Sequence, residues 1–381
     1  MDNSKRILFT TENTSWGGSE LLWSRAVIEL LQYNFLIAIA IHEKLVLPKE
    51  LLLLEKESKI KIVRDSKGKL PLGKRIANRF LTYNRRFKAS NLRQDFIIDY
   101  NPHLMVINQG FNFNGVHIMV FALQNKFDYV TLSHAVNEGM WPNLILREKM
   151  KLGFKNSLMN YFVSEDNLKT TQNQLGLFLD NADVIRNPFN VSFAIDLGFP
   201  KQTNFHLAFV GRYDFYAKGQ DVLLEVLSQE KWKDRNLYVN FYGDGNDLEN
   251  LKDLVKMYDL KKVCIHSHTE TNEIWKHNHG LILTSRFEGL PIVIVEAMLC
   301  KRMVIVTDVS GNTELVVDNE TGFIAAAPRV EYVDEALERA WLQRMNWELI
   351  GRNARRQIIS NIPENPPLLF AHKLQSILNR Q

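Results

Sequence analysis

Cysteine is scarce in this sequence, with two residues, Cys264 and Cys300, among 381. Each lies in or beside an apolar segment, so no disulfide framework is expected, and a reducing, cytoplasmic compartment is. Long hydrophobic runs are missing as well. The longest, 35–41 and 51–54, fall far short of a membrane span. The opening stretch MDNSKRILFT holds no apolar run of signal-peptide length. The expectation is a protein that is soluble or peripheral on the inner face of a membrane. A strong excess of one charge is lacking too, since 47 Lys and Arg stand against 43 Asp and Glu. The remaining composition is that of an ordinary globular chain, and the length fits two domains better than one.

The overall balance hides one local exception. Residues 59–93 carry twelve Lys or Arg against one Asp, a net of +11, so with +4 for the whole chain the remainder is −7. Within it, Ile76, Phe80, Tyr83 and Phe87 recur at helical spacing, with Arg75, Arg79, Arg86 and Lys88 at other positions. Such a basic amphipathic helix suits an anionic membrane surface, and equally a core-facing helix with a solvated basic face.

The most informative stretch is 280–307, GLILTSRFEGLPIVIVEAMLCKRMVIVT. An apolar run over 280–284 reads as a buried strand, 285–290 as a loop, and Pro291 suits the start of a helix running past Met298. Residues 303–306 give a second buried strand. This is a right-handed βαβ crossover, and it sets the loop outside the carboxyl end of a parallel sheet. Glu288 lies in that loop and Glu296 about two turns into the helix. The free amides in the stretch from Gly289 to Ile292 lie near the positive helix end, where phosphate binds. In outline this is a nucleotide-sugar site.

The segment SRFEGLPIVIVEAM (285–298), with seven residues between its two glutamates, resembles the signature of glycosyltransferase family four. A second motif, FVGRYDFYAKGQD (209–221), supports the likeness, which is strong over 205–328 and diffuse before it. The resemblance implies an α/β GT-B fold: two facing, doubly wound Rossmann-like domains with the donor cleft between them. It also implies a retaining transferase acting on a nucleoside-diphosphate sugar. The expected domains are 1–189 for the acceptor and 190–363 for the nucleotide sugar, with a helix in 364–381 packing back on the first.

Residue by residue, the resemblance assigns roles that the bare sequence leaves open. Gly17 and Gly18, in NTSWGGSE, fit an ordinary strand-to-helix turn, or the glycine pair that faces the donor phosphates and the acceptor. His134, just past a predicted strand, is either a satisfied polar residue or the family's histidine against the donor sugar; Ala135 stands where the family often has Asp. Arg212 and Lys218 read as solvated charges, or as the two cations that neutralise a leaving diphosphate. Glu288 is assigned to the sugar hydroxyls and the oxocarbenium-like centre. Glu296 is assigned to the ribose hydroxyls, with Gly289, Leu290 and Pro291 at the donor. No acidic Asp-x-Asp pair follows a strand, and Asp244 and Asp247 have the wrong spacing, so no divalent metal and no other cofactor is expected. The His266, His268, His277 and His279 pairs with nearby Cys264 suggest zinc, but alternate strand residues face opposite ways. The 266–270 loop is instead expected near the nucleotide base.

The predicted elements are strands over 6–10, 35–42, 104–108, 129–133, 161–164, 184–187 and 206–210, with helices between them. Ser19 is the expected cap of the first helix. The expected partners are a nucleotide sugar, with UDP favoured over GDP, a glycan or lipid-linked acceptor, and an anionic membrane surface. Two other readings remain: a GT-B nucleotide-sugar epimerase, and a nucleic-acid binder using 59–93. The first lacks the pairing of Arg212 and Lys218 with the two-glutamate spacing. The second lacks aromatics placed for base stacking, so no nucleic-acid partner is expected.

Overall fold

The computed structural model of the chain describes residues 4–65 and 92–380. The basic helix expected around Ile76, Phe80, Tyr83 and Phe87 lies outside the described residues. Two sheets organise the rest. The first contains β1 (Arg6–Thr11), β2 (Leu36–His42), β3 (Ile60–Asp65), β4 (Leu104–Phe111), β5 (Tyr129–Ala135), β6 (Met159–Phe162) and β7 (Ala182–Val184). Its order is β3-β2-β1-β4-β5-β6-β7. The second contains β8 (Phe205–Val210), β9 (Leu237–Tyr242), β10 (Val263–His266), β11 (Gly280–Leu283), β12 (Met303–Thr307) and β13 (Gly322–Ala325), in the order β10-β9-β8-β11-β12-β13. Every pairing is parallel.

Parallel sheets covered by helices on both faces need apolar strands throughout. β4 and β12 show this, with Leu104, Met105, Val106 and Ile107, and Met303, Val304, Ile305 and Val306, almost fully buried. β3 is different, and it falls inside the basic segment. Ile60 and Ile62 turn inward while Lys61 and Arg64 are exposed, as an edge strand allows. Its charged alternate positions conceal it from a search for apolar runs.

In each sheet the strand order reverses at one place, between β1 and β4 and between β8 and β11. Crevices outside the carboxyl ends at such points are where open α/β sheets bind ligands. Helix Pro366–Asn379 carries Phe370, Leu374 and Leu378 into the core of the first sheet, beside Trp23, Leu30 and Tyr161. The chain therefore passes twice between the two domains. Among the described residues no helix is long and apolar enough to cross a membrane. Cys264 is exposed, Cys300 is buried, and neither is in a disulfide.

Candidate active site

The loops after β8 and β11 are bound together before any ligand is considered. Arg286 donates from Nη1 and Nη2 to the two carboxylate oxygens of Asp221, at 2.8 and 2.7 Å, and its amide donates to the Ala217 carbonyl at 2.8 Å. The bidentate pair holds the guanidinium firmly charged. Gly219 joins the short helix Phe215–Lys218 to the next one at φ +63°, where a Cβ would meet the Thr284 carbonyl oxygen at 2.2 Å. Glycine is required there on both counts. Thr284 Oγ1 closes the contact by donating to the Gly219 carbonyl at 2.6 Å.

This arrangement delivers Lys218 to Glu288. Lys218 Nζ lies 2.5 Å from Glu288 Oε1, and Ser285 Oγ donates to the same oxygen at 2.7 Å. The Glu288 amide donates to Ser310 Oγ at 3.2 Å. Glu288 is 8% exposed, so its carboxylate is desolvated on the cleft wall and matched by one cation. Arg212 behaves differently. Its side chain is 63% exposed and donates to Asp214 at 2.7 Å.

Glu296 lies in the helix Ile292–Leu299, whose cap is Pro291, so the helix begins one position after the expected first residue. Its Oε1 accepts from the backbone and side-chain nitrogens of Asn190, at 2.8 and 2.9 Å, in the segment that links the domains. Asn190 Oδ1 in turn accepts from Arg25 Nη2 at 2.7 Å. Burial pushes the Glu296 carboxyl up to about 7; the two Asn190 hydrogen bonds and the Arg25 charge oppose the shift without cancelling it.

The first domain faces these groups with three features. Gly17, not Ser19, caps the helix Gly18–Leu30, because the buried Glu20 carboxylate reaches back and accepts from the Gly17 amide at 3.0 Å. Ser19 and Asn13 donate to the same carboxylate, and burial raises its pKa. A Cβ on Gly18 would sit 3.1 Å from Ile292 Cδ1, so the glycine loop touches the helix that bears Glu296. His134, within the end of β5, has its ring between Asn108 Oδ1 (2.8 Å from Nε2) and Asn187 Oδ1 (3.1 Å from Nδ1). Burial pushes its pKa down to about 3, so the imidazole is neutral and donates at one nitrogen only. One of the two asparagines must then turn an amide N–H to the ring.

The two domains approach closely at Gly289. A Cβ there would lie 1.6 Å from the His134 carbonyl oxygen. Around it, Arg186 Nη1 pairs with Glu314 Oε2 at 2.7 Å, and Glu314 Oε1 accepts from the Asp166 amide at 2.9 Å. Phe287 packs between Phe111 of the first domain and Tyr216 of the second, with centroids 5.8 and 5.3 Å away.

The structure thus brings Lys218, Glu288, Gly289, Leu290, Pro291, His134 and Gly18 to one cleft, with Gly17 and Glu296 beside it and Arg212 at its rim. Sequence reasoning missed Ser285, Arg286, Asp221, Glu20, Asn187 and Asn190. Only Glu20 had a local signal, an acid in the first turn after two glycines. His266 ends β10 at its carboxyl edge, where its carbonyl accepts from the Tyr213 hydroxyl at 2.8 Å, whereas His279 lies at the amino end of β11, its amide donating to the His206 carbonyl at 2.8 Å. Among the described residues no three His, Cys, Asp or Glu could share a metal ion. A cavity of about 240 Å³ opens at the opposite, amino ends of β9 and β10, among Trp232, Leu237 and Leu260.

Two parallel sheets meeting across such a cleft define an α/β two-domain fold of the GT-B glycosyltransferase type. The structure of Anabaena Alr3699/HepE in complex with UDP superposes with a TM-score of 0.76 over 97% of this chain and 100% of that one, at 16% identity. A mutant of Staphylococcus aureus TarM, in complex with fondaparinux, alpha-GlcNAc-glycerol and UDP, gives 0.66 over 98% and 99%, at 14% identity. The model of the glycosyl transferases group 1 family matches residues 196–362 of the chain. An uncharacterised glycosyltransferase of Methanocaldococcus jannaschii is 32% identical over 161 residues, 41% of this chain and 43% of that protein. The poly(ribitol-phosphate) alpha-N-acetylglucosaminyltransferase of S. aureus is 25% identical over 36% of this chain and 29% of its own. These matches span less than half the length of the curated relatives.

Proposed function

We propose that the chain transfers a sugar from a nucleoside diphosphate, preferably UDP, to a hydroxyl of a glycan or lipid-linked acceptor, with retention of configuration and without a divalent metal. The observation that carries this reading is the Lys218–Glu288–Ser285 cluster pressed against the first domain at Gly289. It supplies a carboxylate for the sugar and a cation for the phosphate within one hydrogen bond of each other. When donor enters, Lys218 turns from Glu288 to the diphosphate, Arg212 swings in from the rim, and the amides of Gly289, Leu290 and Ile292 add hydrogen bonds. Glu288 then holds the sugar hydroxyls, and Glu296 takes the ribose hydroxyls. His134 and the Gly17–Gly18 loop close the opposite side. The glycosidic C–O bond breaks toward UDP, and the acceptor oxygen bonds to the same carbon on the same face. The acceptor's proton passes to the departing phosphate oxygen. UDP is supported by the UDP complexes of fold neighbours. A role in cell-surface polysaccharide or glycolipid synthesis is supported by a relative named for amylovoran biosynthesis. The basic segment 59–93 would hold the enzyme near an anionic membrane.

Calorimetry with UDP and GDP, followed by a panel of labelled nucleotide sugars with and without acceptor, tests the proposal. UDP binding and acceptor-dependent sugar transfer in the presence of EDTA are expected. Sugar interconversion without acceptor, or activity that returns only with added metal, would overturn it.

A further inference from the structure

The first domain leaves several large apolar side chains in solvent beside the cleft. Trp141, Leu144 and Ile145 are 65, 71 and 71% exposed, and Phe178 is 86% exposed. They come from three segments that hydrogen bonds hold in place. Gln174 Nε2 donates to the carbonyls of Asn137 and Met140, at 2.9 and 3.2 Å, and Arg147 Nε donates to that of Leu175 at 3.1 Å. The loop 136–143, the start of helix Leu144–Asn156 and the turn after helix Glu165–Leu175 are thereby joined into one edge. Asn137 Nδ2 lies 3.4 Å from the Tyr216 hydroxyl of the second domain, so this edge borders the cleft.

The helix Leu144–Asn156 buries Met150, Gly153 and Phe154 toward the core. A helix that only covers a core turns polar residues outward. Here the outer face mixes apolar Leu144, Ile145 and Leu152 with exposed Lys149 and Lys155. Residues 144–156 hold Arg147, Lys149, Lys151 and Lys155 against Glu148, a net of +3. An outward face of aliphatic and tryptophan side chains flanked by lysine suits a lipid interface. A protein partner has no such requirement for excess positive charge.

We propose that this edge docks on an anionic bilayer, with Trp141, Leu144 and Ile145 entering the headgroup boundary and Lys149 and Lys155 meeting lipid phosphates. The inference rests on the reading that the acceptor is lipid-borne, and it aligns the mouth of the cleft with the surface that presents it. Stable attachment takes two signals, and here the net +3 of residues 144–156 supplies charge where Trp141, Leu144 and Ile145 supply apolar insertion.

Trp141 is the exposed one of the seven tryptophans, so its emission reports the contact. The full chain is mixed with vesicles of equal parts phosphatidylglycerol and phosphatidylcholine, with and without brominated acyl chains. Wild type should sediment with the vesicles and be quenched by the brominated lipid, whereas Trp141→Phe should sediment but lose most of the quenching. The triple variant Trp141→Ser, Leu144→Ser, Ile145→Ser should bind vesicles at least about tenfold more weakly. Its UDP affinity and thermal midpoint should stay those of wild type. Wild-type binding by the triple variant, or unquenched Trp141, would overturn the proposal. So would a wild-type dimer that the triple substitution dissociates while vesicle binding is unchanged. Absence of UDP binding in wild type would instead remove the donor reading, whatever the vesicles show.

Discussion

Replacing Gly289 by alanine tests whether the two domains must touch for the cleft to work. The added Cβ would lie 1.6 Å from the His134 carbonyl oxygen, 2.8 Å from its carbon and 3.0 Å from Val163 Cγ2. Carbon and oxygen settle at roughly 3.5 Å, so about 2 Å of separation is needed at this point. The obstacle is backbone, which has no rotamer to change. Forcing a methyl into a packed site costs about 1–3 kcal/mol when the fold absorbs it. Here the domains can instead part, because the clash lies between them and not within either core. Each sheet keeps its own packing, so the thermal midpoint should fall by only a few degrees. Glu288 is the preceding residue and would be carried away from His134 and the glycine loop. A displacement of about 1 Å at a reacting centre can lower turnover by about 10²-fold. The assay is kcat/KM with the best donor from the panel, alongside a thermal scan and UDP calorimetry. The expected result is a hundredfold loss of kcat/KM, on the order of 10², with UDP affinity nearly retained. Activity within about twofold of wild type would refute the claim that this contact aligns the site.

Further outcomes are open to measurement. Lys218→Ala should lower turnover by about 10²–10³, and Arg212→Ala by a similar factor despite its exposure, with full wild-type activity in EDTA. Glu288→Ala should mainly cut turnover, and Glu296→Ala should mainly weaken UDP binding; equal loss of UDP affinity in both would sink the division. The Glu296 carboxyl is held near 7 in the fold, above its usual value of 4.5, so it disfavours the native state increasingly as pH rises from about 4.5 to about 7. Glu296→Gln should therefore gain stability relative to wild type across that window and level off above it, by up to about 3 kcal/mol in urea melts. Ribose hydroxyls favour the ionised form, so UDP binding at pH 6 should release a proton, detected by calorimetry in buffers of different ionisation heat. Changing Arg75, Arg79, Arg86 and Lys88 to Glu should abolish sedimentation with anionic vesicles at low salt while leaving the melting midpoint nearly unchanged.

The strands with unbroken apolar runs, such as β4, β8 and β12, were legible because both faces of a parallel sheet are buried. β3 was not, since charged Lys61, Arg64 and Asp65 break up the run around its two buried isoleucines. The first helix cap was misread at Ser19 because a carboxylate from Glu20 does that work from inside the helix. In the cleft, the spacing of Glu288 and Glu296 could be read because both lie on one βαβ unit. The partners that hold them could not. Lys218 meets Glu288 across 70 residues, Asn190 meets Glu296 across 106, and Arg286 meets Asp221 across 65. Those pairings exist only once β8 and β11 have paired in the second sheet and the linking segment has settled on the helix that bears Glu296, so local pattern carries no trace of them.

The helix Pro366–Asn379 also governs the order in which the molecule can be completed. Phe370 lies edge-on to Tyr161 at 5.2 Å, Lys373 pairs with Asp183, and Lys5 donates to the Leu378 carbonyl. The ribosome makes the seven strands of the first sheet well before it makes this helix. Roughly 180 residues separate β7 from it, about 10–40 s of elongation at typical rates. Throughout that interval the nascent first domain lacks one wall, and Trp23, Leu30 and Tyr161 wait uncovered while the second domain emerges and folds. The first domain is thus the earlier one translated and the later one sealed.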